Sequence, residues 1–321
     1  MTDQAEAIAM LDTRVRRRED RRAFFTAALG AAAVGAGAFA FADVASAQSA
    51  PTDADVLNFA LNLEYLEANF YSYAVFGTPI DPTITTGTTG TLGVATGGRK
   101  VAFTDSLVAA YAKEIALDEI AHVKFLRTAL GSAAVAQPAI DVGTSATGAF
   151  SSAAVAAGLI TSGQTFDPYA SDENFLLGSF IFEDVGVTAY KGASPLITNP
   201  TFLEAAAGIL AVEAYHASIV RTVLYAKGMA TPSLKLIEAT EAISKARDSL
   251  DGTTDDDQGV ADLTTGVGTV SNIVPLDANG LAYSRSTGQV LNIVYLNNKQ
   301  VTMGGFFPAG VNGNIKTSAA N

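Results

Sequence analysis

The chain has 321 residues, 49% of them hydrophobic and only 16% charged, which is enough apolar material for a sizeable core in one or two domains. It contains no Cys, which excludes disulfides, iron–sulfur clusters and thiol nucleophiles and leaves the redox compartment open. The net charge of −12 is spread without a basic stripe, which argues against nucleic acid as a partner and suits a solvated acidic surface that attracts cations.

Residues 14–47 read as an address rather than as fold. The run Asp20-Arg21-Arg22-Ala23-Phe24-Phe25 resembles a twin-arginine export signal, with Arg14, Arg16, Arg17 and Arg18 upstream. An Ala/Gly stretch to Ala42 and a small-x-small site, Ala45-Ser46-Ala47, follow it. A membrane anchor competes with this reading, because residues 24–42 approach spanning length. The Ala/Gly richness and the cleavage site favour removal of residues 1–47 and a mature start at Gln48. The expected product is periplasmic or secreted, with no stable membrane insertion once the signal is gone. Because the twin-arginine route carries folded proteins, a metal can be loaded before export.

Four apolar-periodic segments then suggest helices. The first covers 53–76, with Thr52 or Asp53 as N-cap and Gly77 as stop. A Thr/Gly-rich loop over 77–98 leads to the second, about 104–130, stopped by Gly131. A long Ala/Gly/Ser connection to about 171 holds a short helix near 151–158. The third helix covers 172–191, closed by Gly192 and Pro195, and the fourth covers 200–227, closed by Gly228. Short, long and short connections predict a mainly all-α, four-helix bundle over 48–231 with one long crossover. Beyond it, 232–321 is expected to pack on the bundle as an additional helix (233–250) and a small irregular or β extension. In that extension 289–296 alternates like a strand, and Gly304-Gly305-Phe306-Phe307-Pro308 reads as a turn that sets aromatics against the bundle.

The chain has two histidines, and each stands three residues after a glutamate: Glu119-Ile-Ala-His122 and Glu213-Ala-Tyr-His216. Positions i and i+3 share a helix face, so one carboxylate and one imidazole can grip the same ion. The two segments also repeat: DEIAHVKFLRTAL (118–130) aligns with VEAYHASIVRTVL (212–224) without gaps. The first and third helices match more loosely, with Glu64 seven before Tyr71 and Glu183 seven before Tyr190. Two related halves thus predict a ligand set of Glu64, Glu119, His122, Glu183, Glu213 and His216, with Glu119 and Glu213 bridging and Glu64 and Glu183 terminal. Four carboxylates and two neutral imidazoles balance two divalent cations, and this donor set suits iron or manganese, iron favoured.

Glu67, one turn from Glu64, is the alternative ligand on the first helix. Tyr71 and Tyr190 are either neighbours of the ions, as hydrogen-bond donors or radical sinks, or plain core with satisfied hydroxyls. Arg127 and Arg221 are expected in structural salt bridges, and Asp118 and Asp184 as caps or surface charges. A Ser-His-Asp site would have to borrow His122 or His216, and no phosphate-cradling Gly loop follows a plausible strand.

With FALNLEYLEANFY (59–71), FEDVGVTAYKGA (182–193), VEAYHASIVRTVL (212–224) and the tail VLNIVY…GGFFPAGVNG, the chain resembles ferritin-like domain proteins related to the desiccation-related proteins. The resemblance implies a di-metal carboxylate centre that reacts Fe(II) or Mn(II) with O2 or peroxide in oxidative or desiccation stress. It leaves open whether the protein is an enzyme of ferroxidase, peroxidase or manganese-catalase type or a non-catalytic stress protein stapled by metal. Metal ions and O2 or peroxide are the expected partners; the oligomeric state is left open.

Overall fold

The structure, a computed structural model, describes residues 50–321, so the export signal expected over 1–47 lies outside the described residues. Helix α1 (Asp53–Phe76) begins at a capping box: Thr52 accepts from the Asp55 N–H while the Asp55 carboxylate takes the Thr52 N–H. It ends at Gly77, whose left-handed φ of 79° closes the last turn. Helix α2 (Ser106–Leu130) returns beside it: Val101 N–H bonds the Ala74 carbonyl, and Arg127 reaches the Tyr65 hydroxyl at 2.5 Å, so the two run antiparallel.

The connection to the second hairpin holds α3 (Ala149–Ala156), and its strand β2 (Ile140–Asp141) pairs in parallel with β1 (Ala95–Thr96) from the α1–α2 loop. Helices α4 (Asp172–Ala193) and α5 (Pro200–Ala230) form that hairpin, capped by Ser171 and Asn199. Packing is densest within each hairpin, and the two hairpins meet through α1 with α4 and α2 with α5. This is the four-helix bundle with one long crossover that the connection lengths predict. Helix α5 is long and apolar enough to span a membrane, yet it turns Glu213, His216 and Arg221 into the protein.

The C-terminal residues cover the α4 side. Helix α6 (Leu236–Asp251) lies against α4 and α5, and α7 (Thr287–Tyr295) packs on α6 and α4. A short hairpin, β3 (Leu263–Thr265) with β4 (Gly268–Val270), lies between them in sequence. Phe306 stands edge-on to Phe150 at 5.1 Å and to Phe182 at 4.9 Å, so the Gly-rich turn sets this ring against the bundle, while Phe307 packs on Tyr295 of α7.

Three local expectations are corrected. Residues 289–296 form helix α7 and a left-handed cap at Leu296 rather than a strand. Ser286 and Gln289 make a second capping box, and the apolar residues Val290, Leu291, Ile293 and Val294 bury two neighbouring faces at once. Alternation over so short a run cannot separate that from a pleat. Gly192 does not end its helix; a Cβ there would overlap the Arg285 carbonyl, so the glycine admits a close backbone crossing. Helix α5 likewise passes Gly228, where Ile237 packs close over the backbone.

Candidate metal centre

Each bundle helix contributes to one buried cluster of carboxylates and imidazoles. Glu64 comes from α1, Glu119 and His122 from α2, Glu183 from α4, and Glu213 and His216 from α5; all six are buried. On α2 and α5 the i, i+3 spacing lays the glutamate and histidine along one inward face, as the helical period requires. The six side chains form two groups that share Glu119 and Glu213. One adds Glu64 and His122, the other Glu183 and His216, and within each group the candidate ligand atoms lie within 4.8 Å of one another.

Both imidazoles present Nδ1 to the carboxylates. His122 Nδ1 lies 3.2 Å from Glu64 Oε2, 3.5 Å from Glu119 Oε2 and 3.6 Å from Glu213 Oε1. His216 Nδ1 lies 3.0 Å from Glu119 Oε1 and 3.6 Å from Glu183 Oε2. The two oxygens of Glu119 therefore face different histidines, whose rings are 6.3 Å apart between centroids.

The two tyrosines cross between helices. Tyr71 on α1 donates to Glu183 on α4, and Tyr190 on α4 donates to Glu64 on α1. Burial first, then the facing carboxylate, pushes both phenols well above their usual pKa, so they remain donors. Their hydroxyls belong to the cluster rather than to plain core.

Burial dominates the carboxylates as well. It raises Glu64 to about 7 and Glu183 to about 8, in each case against a lowering by the nearby histidine. Glu213 and Glu67 are raised well above the ordinary value, by burial and then by the charge of Glu119. At Glu119 burial acts the same way, but the nearby imidazoles of His122 and His216 outweigh it and hold the group low. For His122 burial opposes the charge, and Glu64 and Glu119 outweigh it, raising the imidazole to about 11; Glu119 and Glu183 raise His216 to about 9.

The cluster fits a pair of divalent cations on its own geometry. Both oxygens of Glu119, both of Glu213 and Glu183 Oε2 are buried without a hydrogen bond, and so is His216 Nδ1, which is near Glu119 but out of line for one. Buried polar atoms are nearly always satisfied, so six orphans gathered in one cluster call for a partner. Carboxylate oxygen with imidazole nitrogen is a donor set that suits divalent transition metals.

Residues around the centre refine the expectations. Glu64, not Glu67, stands in the ligand groups; Glu67 is buried beside the centre, and its Oε1 lies 3.6 Å from where a Cβ of Gly186 would be. In the repeat that pairs Glu64 with Glu183, the partner of Glu67 is Gly186, and a Cβ there would overlap Glu213 Oε2. Asp118 is more than a surface charge: its Oδ2 meets His216 Nε2 at 3.2 Å. Asp184 is buried, and pairs with Arg221 at 2.9 Å and Arg247 at 3.2 Å, because the outer face of α4 is enclosed by the C-terminal residues. Arg221 makes the expected salt bridge, whereas Arg127 donates to the Tyr65 hydroxyl instead. The contact of Asp118 with His216 joins two helices of different hairpins, and no sequence spacing signals it.

A four-helix bundle with inward Glu and Glu-x-x-His helices is the architecture of ferritin-like proteins. The chain belongs to that family: the ferritin-like domain model matches residues 52–226. Among curated proteins it is 31% identical over 254 residues to the desiccation-related protein PCC13-62 of Craterostigma plantagineum, covering 75% of this chain and 76% of that one. It is 28% identical over 272 residues to the ferritin-like catalase Nec2 of Nesocodon mauritianus, covering 82% and 84%. No solved structure gives a significant match.

Proposed function

We propose that this chain is an exported di-metal carboxylate protein that reacts Fe(II) or Mn(II) with O2 or peroxide in defence against oxidative or desiccation stress. The observation that carries the reading is the pair of overlapping ligand groups, joined at Glu119 and Glu213, with buried donor atoms that find no protein partner. Glu64 and His122 would complete one position, and Glu183 and His216 the other. Two iron ions are favoured, manganese being the alternative; when bound, such a pair would supply two redox equivalents to an oxygen substrate.

The chain's own groups set the conditions. Glu119 holds two imidazoles in register across the hairpin boundary. Tyr71 and Tyr190 orient Glu183 and Glu64 from the opposite helix and keep their protons beside the centre. The surrounding apolar residues exclude water, which strengthens each of these interactions. The twin-arginine reading of Arg21-Arg22 suits a protein that takes up its metal before export.

Peroxide dismutation of the manganese-catalase type is the second reading, supported by the relative named as a ferritin-like catalase. A non-catalytic stress protein stapled by metal is the third, supported by the relative named as desiccation-related. Metal analysis of protein purified from its own compartment, followed by Fe(II) oxidation and peroxide assays, separates them. Stoichiometric iron with Fe(II) turnover supports the first, oxygen release from peroxide the second, and bound metal without turnover the third. Protein with no stoichiometric transition metal sinks all three.

A further inference from the structure

The two halves of the centre are related by the sequence repeat, but one contact breaks the relation. His216 presents Nδ1 to the carboxylates and hands Nε2 to Asp118 Oδ2 at 3.2 Å, from α5 across to α2. In the gapless alignment of 118–130 with 212–224, the position of Asp118 is taken on α5 by Val212. A carboxylate at 212 would be the group to reach back to His122; valine has no acceptor to offer. Among the described residues, Nε2 of His122 meets no hydrogen-bond acceptor. The His122 side chain is also the more exposed of the two, 10% against 3%.

An imidazole that coordinates through Nδ1 must carry its proton on Nε2. A carboxylate that accepts a hydrogen bond from that N–H fixes the tautomer and the ring plane, and makes the coordinating nitrogen a stronger donor. We propose that Asp118 is a positioning residue that makes the two cation positions unequal, so that the position completed by His216 and Glu183 binds its ion more tightly than the one completed by His122 and Glu64. This inference rests on the di-metal reading above. Carboxylates that support a histidine ligand change metal affinity by about 10- to 100-fold, and the low end applies because the Asp118 side chain is 42% exposed and partly screened.

The test is a titration of the metal-free full chain with Mn(II), reading free Mn(II) by its aqueous electron paramagnetic resonance signal. Repulsion between two dications separates the stepwise constants even at equal positions, so the response to substitution decides. Asp118→Asn keeps the size of the side chain at a half-exposed position and removes its charge. It is expected to weaken the first stepwise constant about five- to tenfold and the second by about twofold or less. Val212→Asp gives His122 the missing acceptor and is expected to tighten the second constant several-fold, with little effect on the first.

A circular dichroism melt of each metal-free variant establishes that it folds. The proposal is overturned if Asp118→Asn leaves both constants unchanged or lowers them by the same factor, or if a folded Val212→Asp leaves the second constant where it was. Failure of the wild-type chain to bind any Mn(II) would remove the di-metal reading as well, and so is distinguishable from failure of the asymmetry alone.

Discussion

Tyr190 on α4 donates a hydrogen bond from its hydroxyl to Glu64 on α1, and the repeat returns the gesture, with Tyr71 on α1 donating to Glu183 on α4. Glu64 and Glu183 are therefore each held by the helix that carries the other. Tyr71→Phe and Tyr190→Phe preserve ring packing and delete one buried hydrogen bond to a carboxyl. Each is expected to cost the metal-free protein about 1–3 kcal/mol. The cost should shrink when metal is bound, because an ion then satisfies the carboxylate. Thermal melts with and without Mn(II) check this, and equal losses in both states would contradict it.

Metal binding should release protons, and its pH dependence has a definite sign. Without metal, Glu64 and Glu183 titrate at about 7 and 8, and His216 and His122 at about 9 and 11, so at neutral pH most ligand groups carry a proton that a cation must displace. Apparent Mn(II) affinity is therefore expected to rise steadily from pH 6 to pH 9. Calorimetry in buffers of different ionisation heat would detect the protons released; a pH-independent affinity would rule the scheme out.

Stability of the metal-free chain should move the other way. Glu64 and Glu183 bind protons more tightly folded than at the ordinary value of 4.5, and the histidines more tightly than at 6.5. Wherever the folded state holds more protons than the unfolded one, stability falls as pH rises. Loss is thus expected from about pH 4.5 through 8 for the carboxylates, and from about 6.5 through 9 and beyond for the histidines. Glu119, held low, contributes in the opposite sense: its share is present above 4.5 and lost on further acidification. Chemical denaturation should therefore give a maximum near pH 5 for the metal-free protein, and saturating Mn(II) should shift that maximum upward.

Gly186 offers a way to disturb the centre without touching a ligand. A Cβ at this position would overlap Glu213 Oε2, the flexible end of a side chain that can swing aside. Gly186→Ala is expected to fold with near wild-type stability in the absence of metal, the gain in helix propensity of about 1 kcal/mol offsetting the local adjustment. Its Mn(II) affinity should fall at least tenfold, since Glu213 belongs to both ligand groups. Unchanged affinity would mean that Glu213 does not need its present rotamer to hold metal.

The bundle was legible because its signals are local and periodic: a cap at Thr52 and a stop at Gly77, apolar periodicity along the four long helices, and connection lengths that fix the crossover. The six-residue cluster was legible for a related reason, since i, i+3 spacing and a gapless repeat survive as one-dimensional patterns. What escaped the sequence depends on distant chain segments. Asp184 sits beside Glu183 in the chain, yet its surroundings are set by Arg221 and Arg247 from other helices. Gly192 looks like a helix stop until the Arg285 backbone is seen crossing it. The alternation in 289–296 carries no information about which two faces α7 will bury.

The C-terminal residues should matter to stability more than to metal binding. Arg285, fully buried, bonds Asp251 and Asp257 at 2.6 Å each and Thr188 at 3.0 Å; Arg247 links Asp257 to Asp184, and Asp184 meets Arg221. Three arginines and three aspartates thereby join α4, α5 and α6 to the segment that leads into α7. Removing one member leaves buried charge without its partner, which typically costs about 3–5 kcal/mol, whereas replacing charges by apolar groups of similar shape is far gentler. Arg285→Ala is therefore expected to lower the unfolding free energy by about that amount. Arg285→Met combined with Asp251→Leu should recover part of the loss. Because the network lies on the outer face of α4, variants that fold should bind Mn(II) with near wild-type stoichiometry. A variant that keeps its melting temperature yet loses metal would assign this network to the centre itself.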